Sequence, residues 1–213
     1  MEKGNHGVKE KSDEMLVEEF VKGGSKPAFG ELYYRYKDKV FNTAFRIVGD
    51  YEGARDVAHD VFLKVYMEAP GFLFKSSFSS WLYKIAANRS LDEARRNKRR
   101  KVHLSSDDVT DNIPSRRAAD QPENVAIGKE AQVELGKALE TLSPKLRTVI
   151  TLRYFEGLSY EQIAEIIERP VGTVKSRLRR AHRRLGEALG ERKIRAIAEE
   201  EDDGLRDDSG ADA

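Results

Sequence analysis

The sequence predicts an all-α protein of two small helical domains joined by a flexible linker. Three observations carry this. Apolar residues recur every three or four positions over most of the chain, no stretch alternates apolar and polar residues as a strand would, and the apolar periodicity vanishes between residues 102 and 122. Of 213 residues, 35% are charged and 39% hydrophobic, a balance that fits a soluble, helix-rich chain with small cores.

Residues 1–11 read as a disordered N-terminus and 12–101 as the first domain. A short helix around Leu16, Val17 and Phe20 opens it. Pro27, suited to a first helical turn, leads into Phe29, Leu32, Tyr33, Tyr36, Val40, Phe41, Ala44, Phe45 and Val48, one continuous apolar face. Gly49 stops this helix and Asp50 caps the next, which carries Ala54, Val57, Ala58, Val61, Phe62 and Val65 until Pro70-Gly71 breaks it. Ser77 or Ser79 fits as the cap of a helix built on Trp81, Leu82, Ile85 and Ala86. At that spacing the single tryptophan reads as core.

The linker, 102–122, contains SSDDVTDNIPSRRAADQP. The second domain, 123–190, begins with a helix carrying Val125, Val133, Ala138, Leu139 and Leu142. A second helix starts at Ser143-Pro144, holds Leu146, Val149, Ile150 and Tyr154, and ends near Gly157. Ser159 and Gln162 have capping-box spacing ahead of Ile163, Ala164 and Ile167. After Pro170 a last helix turns Val174, Leu178, Ala181 and Leu185 inward. Residues 191–213 form an acidic tail that fits either a solubilising end or a segment folding back on the basic helix before it.

Charge is local rather than global. The net charge is +1, yet Arg95 to Lys101 is basic at every position but Asn97, Lys175 to Arg184 carries six Lys/Arg and no acid, and Glu199 to Asp203 is all acidic. There is no cysteine, and His6, His59, His103 and His182 are scattered, so neither a thiolate metal site nor a histidine cluster is expected and no cofactor is predicted. With no apolar run of membrane-spanning length and no signal-peptide core at the N-terminus, the expected location is the cytoplasm, without membrane insertion.

Two short helices joined by a tight turn, the second basic on its outer face, make a helix-turn-helix, whose recognition helix enters the DNA major groove. Lys175, Ser176, Arg177, Arg179, Arg180 and Arg183 face outward; Thr173, Lys175, Ser176 and Arg179 are best placed for base edges, whereas residues further along suit phosphates.

At SYEQIAEIIERPVGTVKSRLRRAHRRL the chain resembles region 4.2 of the sigma factors of bacterial RNA polymerase, and PVGTVKSRL with RAHRRL resembles their extracytoplasmic-function (ECF) group. FGELYYRYKDKVFNTAFRIVGDYEGARDVAHDVFLKVY is similar to regions 2.1 and 2.2, and FSSWLYKIAANRSLDEARR to regions 2.3 and 2.4. The resemblance implies a promoter-specificity subunit without covalent chemistry. Its implied partners are core RNA polymerase (the largest-subunit coiled coil and the flap), promoter DNA and an anti-sigma factor. Asp56, His59, Asp60, Phe62 and Leu63 would meet the coiled coil, although His59 stands where glutamine is common.

For the −10 element, the resemblance implies a base-capturing loop at Phe72, Phe74, Lys75, Ser76, Ser77 and Phe78, with Asn88 facing the flipped base. Tyr83, Lys84, Arg89, Arg95 and Arg96 would follow the DNA. Aromatic platforms interleaved with cations are what a separated strand needs. The basic end, Arg95 to Lys101, also fits a solvated helix terminus favoured by the helix dipole. For the −35 element the implied residues are Thr173, Lys175, Ser176, Arg177, Arg179, Arg180 and Arg183. A stand-alone helix-turn-helix regulator is the alternative. An enzyme finds no support in nucleophile, metal or phosphate-loop motifs.

Overall fold

The computed structural model describes residues 10–72, 76–104 and 129–189, with backbone alone at 101–104 and 129–133. The expected linker from residue 105, the acidic tail, and Phe74, Lys75 and Val125 therefore lie outside the described residues. The described residues form eight α-helices and no strand.

The first domain packs α1 (Asp13–Gly23), α2 (Lys26–Val48), α3 (Tyr51–Glu68) and α4 (Phe78–Leu104) into a bundle, with a short 3-10 turn at Ala69–Gly71 where Pro70 breaks α3. Helix α4 continues to Leu104, three residues past the point where apolar periodicity ends. Ser12 caps α1, Ser25 caps α2 ahead of Pro27, and Gly49, at φ 89°, closes α2 in the left-handed conformation that glycine tolerates best. Asp50 then caps α3, its Oδ1 accepting from the Gly53 N–H at 2.7 Å. Asp13 ties α1 to α2 by accepting from Arg35 at 2.8 Å and from the Tyr36 hydroxyl.

Leu16, Leu32, Val40, Ala44, Val61, Phe78 and Leu82 form the centre of this core, with Trp81 half-buried at its edge. Burying one such aliphatic side chain contributes roughly 1.5–3 kcal/mol. The exposed ion pairs on the same helices contribute about 0.2–1 kcal/mol each. The apolar stripe, and not the charge pattern, sets the bundle.

The second domain comprises α5 (Lys129–Glu140), α6 (Pro144–Ile150), α7 (Tyr160–Ile166) and α8 (Val171–Leu189). Between α6 and α7 the chain widens into a π-turn, Thr151–Phe155, closed by the Glu156 N–H donating to the Thr151 carbonyl at 3.2 Å. Gly157 follows at φ 67°. The expected capping box is present: Ser159 Oγ accepts from the Gln162 N–H at 3.2 Å, and Gln162 Oε1 from the Ser159 N–H at 2.8 Å. Val174, Leu178, Ala181 and Leu185 face inward as the spacing predicts.

The two domains touch. Tyr83 and Ala87, both on α4, are buried in the second domain's apolar cluster rather than in that of their own bundle.

Candidate polymerase and nucleic-acid surfaces

On α3, Asp56 and Asp60 stand one turn apart, their side chains 74% and 52% exposed, with His59 between them. Arg55 lies closer to Glu52, at 2.5 Å, than to Asp56, at 3.9 Å, so the two aspartates keep their charge turned to solvent. Leu63 is exposed, and beyond it Met67, Tyr66 and Tyr33 extend an apolar strip. Phe62 is not on that surface: it is buried, with the Tyr33 ring 4.8 Å away, and supports the strip from beneath. The family resemblance named Leu63 but gave no sign that Tyr66 of the same helix and Tyr33 of α2 are exposed with it.

The loop ahead of α4 departs from expectation. Phe72 and Phe78 belong to the core instead of an exposed platform: the Phe72 ring lies 5.0 Å from Trp81, and Phe78 is 1% exposed, 5.5 Å from Tyr36. An isolated aromatic next to serines reads as loop, yet here the phenyl groups close the open end of the bundle. Ser77 caps α4, its Oγ accepting from the Ser80 N–H at 3.2 Å, and Ser76 is half-buried beside it.

Along α4, Asn88 and Arg89 are exposed, but Tyr83 is buried and Lys84 is engaged. The Tyr83 hydroxyl donates to Glu156 Oε2, and Lys84 Nζ lies 2.8 Å from Glu168 Oε1. Burial, then the neighbouring Glu156 carboxylate, pushes the Tyr83 phenol far above the ordinary tyrosine range. Arg95 pairs with Asp92 at 2.7 Å, and Glu93 accepts from Arg100 at 2.7 Å with Arg96 3.6 Å away. The basic end is thus partly neutralised within its own helix.

Helix α8 turns Lys175, Ser176, Arg179, Arg180 and Arg183 outward, with Thr173 half-buried. Arg177 is also half-buried; desolvation, then Arg169 and Arg180, lowers its pKa, though a guanidinium stays charged. With Arg180, Arg183, Arg184 and Lys145 it lines a cleft between α6 and α8. Lys145 escaped the sequence reading because it lies 32 to 39 residues upstream of the arginines with which it lines the cleft. The turn before α8 holds Glu168 at φ 52°, the one non-glycine residue with positive φ among those described. That conformation costs roughly 1 kcal/mol for a residue with a Cβ.

This is a two-domain α-protein in which a buttressed recognition helix follows a bundle with an acidic-apolar face and a basic helix. Family models for Sigma-70 region 2 and for Sigma-70, region 4 match residues 32–100 and 132–185. The chain is 35% identical over 184 residues to the RNA polymerase sigma-H factor of Pseudomonas aeruginosa, covering 84% of this chain and 95% of that protein. It is 38% identical over 176 residues to the ECF RNA polymerase sigma-E factor of Escherichia coli, covering 80% and 90%. Among solved structures, the sigma factor RpoE of Bartonella quintana, in complex with the anti-sigma factor NepR, matches with a TM-score of 0.59 at 26% identity, over 76% of this chain and 96% of that one. The chain belongs to the sigma-70 family, in its ECF group.

Proposed function

We propose that the protein docks on core RNA polymerase through Asp56, His59, Asp60 and Leu63 of α3, reads the −35 element with α8, and captures the −10 element along α4. The observation that carries this is the division of labour between two faces: an acidic-apolar surface suited to a basic protein partner, and a recognition helix with cations on every outward turn. Arg179, Lys175, Ser176 and Thr173 lie near the start of α8 and address bases. Arg180 and Arg183 sit further along and hold phosphates, joined by the half-buried Arg177, which lines the cleft with them. On α4, Asn88 presents an amide able to donate and accept, and Arg89, Arg95 and Arg96 track the backbone. With Phe72 and Phe78 buried, base capture falls to Phe74, Lys75, Ser76 and Ser77, which lie between them in sequence, and to Asn88.

The protein acts without covalent chemistry, in the cytoplasm, as the specificity subunit of polymerase. An anti-sigma factor is its regulator, a reading supported by the Bartonella quintana complex. Run-off transcription from a promoter library with purified core polymerase, with and without this protein, tests the function. Protein-dependent transcripts sharing −10 and −35 motifs are expected. Absence of such transcripts and of co-elution with core polymerase, alongside duplex DNA binding by the protein alone, would make it a stand-alone regulator.

A further inference from the structure

We infer that the basic cleft between α6 and α8 is a docking surface for the protein's own acidic segment, Glu199 to Asp203. Lys145 of α6 and Arg177, Arg180, Arg183 and Arg184 of α8 line the cleft. Ser143 lines it too, and its hydroxyl makes no capping bond to α6, so it has a donor to offer. Among the described residues, none of these five cations pairs with a carboxylate. The basic end of α4 differs, because Arg95 and Arg100 are met by Asp92 and Glu93 of the same helix. Helix α8 holds no acid before Glu187, so the charge of the cleft is not balanced from within. Arg177 registers the crowding: half-buried, its pKa is lowered by desolvation first and then by Arg169 and Arg180. Like charges gathered on one side of a helix destabilise it, and an anion in the cleft relieves them.

Charge, size and reach identify the occupant. Glu199, Glu200, Glu201, Asp202 and Asp203 are consecutive and supply five anions for the five cations. At about 360 Å³ the cleft exceeds what one carboxylate fills and suits several side chains of an extended segment. Helix α8 ends at Leu189, and the acidic run begins ten residues later, outside the described residues. Ten extended residues span up to about 33–36 Å. Arg177 lies twelve residues back from Leu189, about 18 Å along the helix at about 1.5 Å per residue. The connection is therefore long enough to bring the acids beside every arginine of the cleft. Under the proposed function Arg177, Arg180 and Arg183 hold promoter phosphates, so segment and DNA compete for them. The competition weakens binding to every duplex by the same factor and keeps the free protein off bulk DNA. That consequence rests on the sigma reading; the docking itself does not.

Zero-length carbodiimide coupling of the full-length protein tests the docking, because it joins an amine to a carboxylate only where the two touch. Lys145 is the one lysine of the cleft, and Lys137, exposed in the same domain but not lining the cleft, is the control. At low salt, peptide mapping of the monomer should find residues 199–203 joined to Lys145 about tenfold more often than to Lys137, a preference that fades as ionic strength rises. Glu199→Gln, Glu200→Gln, Glu201→Gln, Asp202→Asn and Asp203→Asn together should abolish the product. They should also raise affinity for a non-promoter duplex about tenfold, as several exposed ion pairs acting together would yield. Lys145→Ala with Arg184→Ala, both exposed positions, should leave the helical circular dichroism unchanged and cut that gain to less than about half. Equal coupling to Lys137 and Lys145, or coupling only between two copies, overturns the docking. Equal affinity of the parent and the five-fold variant for inorganic tripolyphosphate also overturns it, since a filled cleft must first be emptied. If Lys145 couples as expected while duplex affinity ignores the five substitutions, the docking stands and the assignment of the cleft to DNA phosphates fails.

Discussion

Asn97 donates its side-chain amide to Asp50 Oδ2 at 2.7 Å, joining the far end of α4 to the first turn of α3. The same carboxylate caps α3 through its other oxygen. Asp50→Ala should therefore lose a cap, at about 0.5–2 kcal/mol, and leave the Asn97 amide without that partner, at roughly 1 kcal/mol more. Asp50→Asn keeps an acceptor at the cap and should fall between the parent and the alanine variant. Thermal unfolding of the three proteins checks the order.

Asn97 also illustrates what the sequence could and could not disclose. As the lone non-basic position between Arg95 and Lys101, it was visible as an exception, but its purpose required knowing that α4 runs back alongside Asp50. Local signals were legible: Gly49, Asp50, Pro27, the capping box at Ser159 and Gln162, and the inward set of α8 all depend on neighbours within a turn. The misread residues depend on distant ones. Phe72 and Phe78 look like loop aromatics until Trp81 and Tyr36 are brought over them. Tyr83 looks outward-facing on its own helix and is buried only because another domain arrives. The π-turn that delivers Glu156 breaks no pattern of residue types, so periodicity passes straight through it.

Arg179→Ala and Arg183→Ala should differ in kind. Arg179 sits nearer the start of α8, so its loss should cost about 1–3 kcal/mol on a cognate −35 site and relax preference at one base pair. Arg183 lies a turn further along. Its loss should weaken binding to all sequences alike and reduce the slope of log affinity against log salt by about one. Holoenzyme binding to matched and mutated promoters over a salt series separates the two.

Charge reversal on α3 should act mainly on association. Asp56→Lys with Asp60→Lys replaces two exposed carboxylates without touching the core, so the fold should persist while core polymerase binds more slowly. The defect should shrink as ionic strength rises, since exposed charges beyond about 8–10 Å are screened at physiological salt. Stopped-flow association at low and high salt reads this directly.

Domain closure should weaken at both ends of the pH scale. Burial, followed by the Glu156 carboxylate, raises the Tyr83 phenol above its ordinary value of 10.0, so its contribution is complete below that pH and lost as pH rises through the closed-state value. Hydrogen bonding to Lys84 lowers Glu168 below its ordinary 4.5, so that contribution is complete above 4.5 and lost as pH falls through the closed-state value. Energy transfer between a donor and an acceptor attached at Lys26→Cys and Glu187→Cys, exposed positions in the two domains of a chain without cysteine, should plateau between these limits. Tyr83→Phe should remove the Tyr83 part of the alkaline limb and Glu168→Gly the Glu168 part of the acidic one. A profile unchanged by either substitution would mean that other groups govern closure.

Phe78 offers the sharpest separation of stability from DNA handling. Its ring is among the largest fully buried side chains, enclosed by Tyr36 and Trp81, so Phe78→Ala should cost about 3–5 kcal/mol through lost transfer energy and the cavity left behind. Phe78→Leu keeps most of the volume and should cost about 1 kcal/mol. If Phe78 acts only in the core, promoter opening by the leucine variant should match the parent wherever both are folded, as read by permanganate reactivity of unpaired thymines. If the ring also meets a base, the leucine variant will melt the promoter poorly at temperatures where its circular dichroism is that of the parent, because leucine fills the cavity but cannot stack.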